Sequence, residues 1–292
     1  MSLNTSRILF VIVCLIMLQG CAGCIGEQAR FRETRNMTIP HVTGSAIRVE
    51  TTNGGVTLQA GQVQEVQIEA KLACVTAERL AATQIVADRV NGALNVSVKW
   101  PDGRRENNEG CSFLITLPDA SGVEVHTSNG SIKSTALAGA AHFGTSNGGI
   151  GVTNHDGTVD AKTSNGRITI ESATGDVTAG TSNGGIDIRG ARRQVDASTS
   201  NGRVTVSLAD TAPGPVQIRT SNGGIDLAVG SSFSGELKMS TSNGGLDVDR
   251  FTNAKSVSIQ RTSGSIVLGT GDSVSELRTS NGGIHVRAAD KP

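Results

Sequence analysis

The chain has 292 residues, enough to bury a substantial core in one elongated domain or two compact ones. It contains 37 glycines but only one Trp, six Phe and no Tyr, which favours a turn-rich all-β protein over a helical bundle, because glycine supplies the corners that short strands need. The 26 basic residues equal the 26 acidic ones, so the charge gives no reason to expect nucleic acid as a partner.

The N-terminus has the features of a bacterial export signal. Arg7 is the only charged residue before position 21, and the apolar run from Ile8 to Leu18 has eleven residues. Such a run is too short to cross a bilayer stably as a helix and has the length of a signal-peptide core. We therefore predict a lipoprotein signal peptide over residues 1–20.

The residues that follow predict lipid attachment. Leu18-Gln19-Gly20-Cys21 resembles the bacterial lipobox, whose cysteine receives diacylglycerol. A lipid on Cys21 would anchor the chain in the cell envelope, and in the outer membrane of a Gram-negative cell, because Ala22 rather than Asp follows the cysteine. The alternative is a secretory leader cleaved near Ala22, with Cys21 left as a free thiol. Residues 21–44 are expected to form a polar tether.

An internal repeat covers most of the remaining chain. The motif Thr-Ser-Asn-Gly returns every 18 residues in its first copies, and then at intervals of 21, 21 and 38. An upstream variant spans Thr51–Gly54, and Thr262–Ile266 is interpreted as a degenerate copy without the Asn. The repeated asparagines are Asn129, Asn147, Asn165, Asn183, Asn201, Asn222, Asn243 and Asn281.

Each copy contains two short apolar patterns that predict two strands. Around Asn183, Val177 and Ala179 precede the asparagine and Ile186 and Ile188 follow it, each pair with a spacing of two. The parity of the inward positions changes across Ser-Asn-Gly. This tripeptide is therefore expected to turn a corner, since Asn and Gly tolerate left-handed backbone.

Two arrangements fit two strands per repeat. In an antiparallel meander, each Asn-Gly pair would close a hairpin. In a parallel β-solenoid, each repeat would be one coil, and equivalent residues would stack about 4.8 Å apart on the next coil. We favour the solenoid, because stacking in register lets identical Asn and Thr side chains form ladders. The prediction is an all-β parallel β-solenoid over residues 126–287, followed by a tail at 288–292.

Residues 60–117 interrupt the repeat with a different pattern. It predicts a short helix N-capped by Thr76, an antiparallel hairpin closed by Asn91-Gly92, and one further strand. Such an insert would cap one end of the stack and protect its outermost strands from aggregation. The predicted elements are a helix at 76–82, hairpin strands at 84–90 and 93–100, and a strand at 113–117, within an N-terminal β region at 45–125.

The order of these elements resembles a known family. An Asn-Gly strand near the start, a helix-plus-hairpin insert, a strand that ends in Leu117-Pro118, and a series of Thr-Ser-Asn-Gly-Gly-Ile copies are similar to the DUF4097 adhesin-like domain over roughly residues 45–287. The resemblance implies a β-helical envelope protein. It carries over no functional residue, since the motifs are structural and the family has no established activity.

Cys74 and Cys111 flank the predicted hairpin. An exported protein meets an oxidising compartment, so one expectation is a disulfide, worth on the order of 3 to 4 kcal/mol from loop entropy. Two buried free thiols are the alternative.

The remaining polar residues predict no cofactor and no metal site. The five histidines show no ligand spacing, and His285 is expected on the outer face. Asp187, Asp226 and Asp247 share the position four residues after the repeated Asn, and the last two are expected on adjacent coils. Paired carboxylates can bind calcium or act as acid and base, but the Gly-Gly-x-Gly-x-Asp calcium repeat is missing, so a solvated face is expected.

These patterns favour a non-enzymatic cell-envelope lipoprotein. It would contact the membrane through its N-terminal lipid, and its repetitive surface would bind an envelope polymer or another protein, with no catalytic residue and no nucleic acid partner. The alternative is a polysaccharide-active β-helix enzyme, a lyase or hydrolase. Such an enzyme would need a groove with clustered charges and aromatic rings, and Trp100 and six Phe are few for sugar stacking.

Overall fold

The computed structural model describes residues 29–289, and nearly all regular structure in that range is β-strand. One helix, α1 (Ala77–Ala82), is N-capped by the Thr76 hydroxyl as predicted, and a 3₁₀ turn spans Pro101–Gly103. The N-terminal strands are β1 (Phe31–Ile39), β2 (Ile47–Glu50), β3 (Val56–Ala60), β4 (Val66–Cys74), β5 (Gln84–Val90), β6 (Ala93–Lys99), β7 (Gly110–Leu117) and β8 (Gly122–His126).

The repeats continue with short strands of similar length. Those of the central region are β9 (Ile132–Thr135), β10 (Ala140–Thr145), β11 (Ile150–His155), β12 (Val159–Thr163), β13 (Ile168–Ala173), β14 (Val177–Thr181), β15 (Ile186–Ala191), β16 (Val195–Asn201), β17 (Val204–Leu208), β18 (Val216–Asn222) and β19 (Ile225–Val229). Those of the C-terminal region are β20 (Gly235–Thr241), β21 (Leu246–Val248), β22 (Ala254–Ile259), β23 (Ser263–Leu268), β24 (Val274–Asn281) and β25 (Ile284–Ala288).

The strands form two sheets, which we call sheet A and sheet B. Sheet A has 12 strands in the order β1-β4-β7-β3-β9-β11-β13-β15-β17-β19-β25-β21. Sheet B has 13 strands in the order β5-β6-β2-β8-β10-β12-β14-β16-β18-β24-β20-β23-β22. Each repeat supplies a strand to sheet B before its Asn and a strand to sheet A after it, so one repeat is one coil.

The coils stack in parallel and in register, which confirms the solenoid and excludes the meander for the repeats. Val159 pairs with Val177 in sheet B, and Ile168 pairs with Ile186 in sheet A. The apolar columns of both sheets face each other and form one continuous buried core. Because these columns are mostly aliphatic and, before β21, buried, their removal from water is the main source of the solenoid's stability.

Each residue type of the motif has a role in the stack. In one central coil, the buried Thr163 donates its hydroxyl to the Gly148 carbonyl of the preceding coil at 2.9 Å. Asn165 Nδ2 donates to Asn147 Oδ1 at 2.9 Å. A Cβ on Gly166 would lie 2.0 Å from the Gly148 carbonyl oxygen, so only glycine fits there. The predicted Asn ladder is therefore present. The threonines stack in register, but in this contact the hydroxyl bonds to a glycine carbonyl and not to another threonine.

The last coil does not stack on the coil before it in sequence. β24 and β25 insert between the coils of Asn222 and Asn243, so Asn281 lies between those two asparagines. The segment Thr262–Ile266 is not a degenerate coil, because most of it belongs to β23, which pairs antiparallel with β20 and β22. Without an Asn, this segment cannot extend the ladder, and it forms a terminal hairpin instead.

Part of the segment predicted to be a tether, residues 21–44, is a strand instead. β1 is a nine-residue strand that pairs antiparallel with β4 at the edge of sheet A. Its polar side chains form specific contacts: Arg35 donates to the Glu33 carboxylate at 2.8 Å, to the Leu80 carbonyl at 2.7 Å, and to the Thr83 carbonyl. The polarity of this segment reflects its bonding to the C-terminal end of α1, and not a solvated linker.

The insert covers the N-terminal end of both sheets, as predicted. The β5–β6 hairpin, with Asn91 and Gly92 at positive φ in its turn, extends sheet B. Strands β1, β4 and β7 extend sheet A. The parallel stack therefore ends in antiparallel strands on this side.

Candidate functional site

The outer face of sheet A carries a row of residues that each follow a repeated Asn by four positions. From β15 to β21, the row is Asp187, Thr205, Asp226, His285 and Asp247. The prediction that Asp226 and Asp247 occupy adjacent coils is wrong. His285 lies between them, because β25 is inserted between β19 and β21.

Five charged or titratable side chains at the end of this row form what we call the His285 cluster: Arg203, Asp226, Asp247, Asp249 and His285. His285 Nδ1 is 3.9 Å from Asp226 Oδ1, and its Nε2 is 3.8 Å from Asp247 Oδ2 and 3.9 Å from Asp249 Oδ1. Arg203 donates to Asp226 Oδ2 at 2.9 Å. The ring nitrogens are too far from the carboxylates for hydrogen bonds, but a protonated ring would be attracted to all three.

Four residues of the cluster, all but Asp249, line a shallow depression of about 190 Å³. Gly224, Gly245 and Gly283 of neighbouring coils also line it, and their missing side chains leave the space beside the row. Sites that enclose a small molecule have about 300 to 1,000 Å³. The depression therefore suits contact with one group of a larger partner better than it suits an enclosed substrate.

The structure offers no evident metal centre in the range it describes. Within residues 29–289, no three His, Cys, Asp or Glu side chains are placed to hold a metal ion. In the His285 cluster, Asp226 approaches one ring nitrogen, and Asp247 and Asp249 approach the other. The three carboxylates of the cluster can therefore act through charge, by attracting a cationic group.

The second candidate surface is the ridge of stacked asparagines at the Ser-Asn-Gly corners, which we call the Asn ladder. Eight Nδ2–Oδ1 hydrogen bonds of 2.7 to 2.9 Å join nine side chains. Each inner amide keeps one N–H and one oxygen lone pair that the ladder does not use. In spatial order, the ladder is Asn53, Asn129, Asn147, Asn165, Asn183, Asn201, Asn222, Asn281 and Asn243.

The serines that precede the ladder asparagines add to this ridge. Each follows a buried Thr and is itself exposed: Ser146, Ser164, Ser182 and Ser200. The ridge therefore presents the same hydroxyl and amide groups once per coil, at intervals of about 4.8 Å.

A buried ion pair in the N-terminal cap was missed by the sequence analysis. Glu109 is fully buried, and its carboxylate accepts two hydrogen bonds of 2.8 Å from Arg79 and one of 2.9 Å from the Glu106 N–H. Burial alone would raise the pKa of Glu109, but Arg79 and the backbone N–H groups outweigh it and hold the pKa below its usual value. The pair joins α1 to the loop before β7, which gives it a structural role.

Cys74 and Cys111 are buried free thiols in the structure. Cys111 pairs with Leu72 in the β4–β7 ladder, so Cys74 lies two residues further along β4. Diagonal neighbours of this kind have Cα atoms about 7 to 8 Å apart, beyond the usual range for a disulfide. The structure thus has the alternative arrangement and lacks the expected bridge, which would require the two strands to shift.

Cys21 and the predicted signal peptide lie outside the described residues, so lipid attachment stays a prediction. In the part of the chain that is described, no helix has the length and apolar character needed to span a bilayer.

The family follows from this architecture and from a match to the sequence. The stacked two-strand coils and the capped N-terminal end agree with the resemblance noted above, and the family model for Toastrack DUF4097 matches residues 22–287. The chain belongs to the Toastrack DUF4097 family. The match to this DUF4097 chain begins before residue 45, the start expected from the repeats, and it includes β1.

Solved structures with a similar fold are distant in sequence from this DUF4097 protein. A Bacteroides fragilis NCTC 9343 protein, provisionally described as an adhesin, has a TM-score of 0.52 at 12% identity, covering 90% of this chain and 100% of its own. A Parabacteroides distasonis ATCC 8503 protein, provisionally described as lipid binding, has a TM-score of 0.43 at 12% identity, covering 89% and 97%. The first similarity shows the fold alone, and the second supports no further conclusion. No curated protein matches the sequence.

Proposed function

We propose that this DUF4097 chain is a lipid-anchored, non-enzymatic protein of the cell envelope whose ladder ridge binds an extended envelope polymer or protein. The observation that carries the proposal is the continuity of the Asn ladder. Nine asparagines in a single chain of hydrogen bonds form a continuous polar ridge along the stack. A partner with a regular repeat could contact equivalent groups on successive coils, and many weak contacts would add to a useful affinity.

The folding role of the motif supports a binding function over catalysis. Thr, Asn and Gly in each coil are explained by contacts with the preceding coil, which leaves the exposed serine and the outer amide edge available to a partner. Catalysis would need a base in hydrogen-bond contact with a nucleophile or substrate group. The repeated corners contain no such pair.

The position of β1 supports attachment at one end of the stack. β1 lies at the N-terminal edge of sheet A, and Cys21 precedes its first residue by ten positions. A lipid on Cys21 would therefore hold the capped end near a membrane and leave the ridge accessible along its length. The outer membrane remains the expected location in a Gram-negative cell.

The ridge hypothesis is tested by blocking the central serines. The double variant Ser164→Arg, Ser182→Arg places two long side chains on the ridge without touching the buried columns. Thr178→Arg, on the exposed outer face of sheet B, is the matched control. In co-sedimentation with purified cell-wall sacculi and with outer-membrane extract, the double variant should bind at least about tenfold more weakly, and the control should bind as the parent does. Equal binding by all three proteins, or none by the parent, would refute the ridge as a binding surface.

The anchor is tested separately by metabolic labelling. Cells that express the chain are grown with a clickable palmitate analogue, and the purified protein is examined for label. Cys21→Ser should abolish labelling, and Cys24→Ser should leave it unchanged. Label that persists in Cys21→Ser would exclude Cys21 as the lipid acceptor.

A polysaccharide-active enzyme remains the second candidate, favoured by one observation. His285 lies between Asp226 and Asp247, and all three side chains line the depression. Many glycosidases also place two carboxylates on opposite sides of the bond that they cleave. The test is incubation of the protein with a panel of envelope glycans, with Asp247→Asn as the comparison. Turnover by the parent that Asp247→Asn abolishes would replace the binding proposal.

A further inference from the structure

The C-terminal end of the solenoid is covered less well than the rest of its core. Leu246 and Val248 of β21 are only partly buried. Ile284 and Val286, which occupy the same columns one strand inward, are 1% and 0% exposed. The apolar core is therefore still open at β21, in contrast to the capped N-terminal end.

Sheet B extends beyond sheet A at this end. β20 of sheet B and β21 of sheet A belong to the same coil. Beyond that coil, sheet B continues with β23 and β22, whereas no described strand continues sheet A past β21. Val257 of β22 pairs with the buried Ile266, so Val257 lies on the inner face of the hairpin. Val257 is 57% exposed and Ile259, on the same face, is 40% exposed. The hairpin thus projects an inner face that has no opposing sheet.

The edge of β22 is also open along its backbone. The Gln260 N–H donates to the Ser263 carbonyl at 2.8 Å, so Gln260, which directly follows β22, bonds towards β23. In an antiparallel ladder, every second residue of a strand bonds to the same neighbour. By that alternation, Val257 and Ile259 direct their N–H and C=O groups away from β23, towards the free edge. Exposed edge strands are usually blunted by proline or several charges, but β22 has no proline and Lys255 as its one charge. Such an edge is suited to pairing with another strand.

We propose that this end is an interface at which two copies of the chain join end to end. A two-fold axis parallel to the strands exchanges sheet A of one copy with sheet B of the other. It places β22 of each copy beside β21 of its partner, where the missing strands of sheet A would lie. β22 runs in the opposite direction to β21, so the new pairs are antiparallel. The interface is isologous, because β22 of each copy occupies the same position beside β21 of the other.

The side chains agree with this pairing. If Leu246 pairs with Ile259 of the partner copy, Val248 pairs with Val257, and all four apolar side chains face the shared core. The inner faces of the two projecting hairpins then cover each other. The apolar surface left exposed in one copy is buried in the pair, which supplies the driving force for association.

The charges at this end are complementary as well. Asp247 lies on the outer face of β21 and Asp249 directly follows that strand, with side chains 82% and 54% exposed. Within residues 29–289, Lys255 and Arg261 of the projecting hairpin have no ion-pair partner. In the proposed register, Asp249 is opposite Ser256 of the partner copy, next to Lys255. The acidic edge of each copy therefore meets the basic hairpin of the other.

The inference goes beyond the proposed binding function and does not depend on the identity of the ridge ligand. Thirteen strands at about 4.8 Å give a stack of roughly 60 Å, so the end-to-end pair would be roughly 120 Å long. Its two N-termini would point in opposite directions. Such a pair could join two surfaces that each anchor one copy.

The test measures mass and length together, on the exported chain with Cys21→Ser so that no lipid contributes to association. Light scattering should give twice the mass of one chain, and small-angle X-ray scattering should give about twice its length. Val257→Lys should weaken association by at least about tenfold. Val90→Lys, at a valine of similar exposure (51%) in the hairpin of the opposite end, should have no effect. Circular dichroism confirms that each variant is folded.

A charge exchange separates the interface from a general loss of stability. Asp249→Lys and Lys255→Asp should each weaken the dimer, and the double exchange should restore it to within about threefold of the parent. A monomer at about 100 µM, a dimer with the length of a single chain, or a Val257→Lys protein that associates like the parent would each overturn the proposal.

Discussion

Replacing Gly184 by alanine tests the stacked corner most directly. A Cβ at this position would lie 1.9 Å from the carbonyl oxygen of Gly166 in the preceding coil and 2.6 Å from its carbonyl carbon. Non-bonded heavy atoms are in favourable contact at about 3.5 to 4.0 Å, so the two coils would have to separate by about 1 Å or more. Gly184 is not at positive φ, so the penalty is steric and not conformational.

The magnitude follows from the contacts that this separation would break. Asn183 Nδ2 donates to Asn165 Oδ1 at 2.9 Å, and the Asn183 N–H donates to the Ser164 carbonyl at 2.8 Å. The Thr181 hydroxyl donates to the Gly166 carbonyl at 3.1 Å. Three hydrogen bonds at about 1 kcal/mol each, with about 1 to 3 kcal/mol for overpacking, predict a loss of about 4 to 6 kcal/mol in the free energy of unfolding.

The neighbouring glycine provides a matched control. A Cβ on Gly185 would lie 3.3 Å from the Arg203 carbonyl oxygen, a contact that a small backbone shift can relieve. Gly185→Ala should therefore change the free energy of unfolding by about 1 kcal/mol or less. Both variants are measured by urea denaturation followed by far-ultraviolet circular dichroism. If Gly184→Ala were no less stable than Gly185→Ala, the close approach of the coils would be refuted.

Three further predictions concern the ladder and two buried sites. Asn165→Ala removes two ladder hydrogen bonds, and Asn243→Ala at the end of the ladder removes one. In urea denaturation the free energy of unfolding should therefore fall by about 1 to 2 kcal/mol for Asn165→Ala and by about 0.5 to 1 kcal/mol for Asn243→Ala. Equal losses would argue against an additive ladder. Burial lowers the pKa of His155 from 6.5, so stability should be full above pH 6.5 and fall as the pH drops from there towards the folded pKa. His155→Leu should flatten the dependence of the melting temperature on pH between about 7 and 5, and an unchanged slope would contradict this. Burial raises the pKa of the Cys74 thiol, and it raises that of Cys111 to about 12. Both thiols should therefore resist alkylation in the folded protein, and both should react after unfolding without reductant. A Cys74–Cys111 disulfide found by mass spectrometry would refute the strand register.

The sequence by itself determined the individual coil. The alternation of Val177 and Ala179, and of Ile186 and Ile188, specifies which face of each strand is buried, because side chains alternate across a strand whatever its neighbours are. Asn and Gly mark the corner for a similarly local reason. The helix N-capped by Thr76 and the hairpin closed by Asn91-Gly92 also depend on residues close in sequence, and they were predicted correctly.

Only the tertiary structure decided which coil lies beside which. Every coil offers the same Thr, Asn and Gly to its neighbour, so inserting β24 and β25 before β20 and β21 satisfies the same contacts as stacking in chain order. The sequence cannot distinguish these two orders, because their local interactions are nearly identical. The position of His285 between two aspartates follows from the order observed. So does the terminal hairpin, which leaves Val257 exposed at the open end.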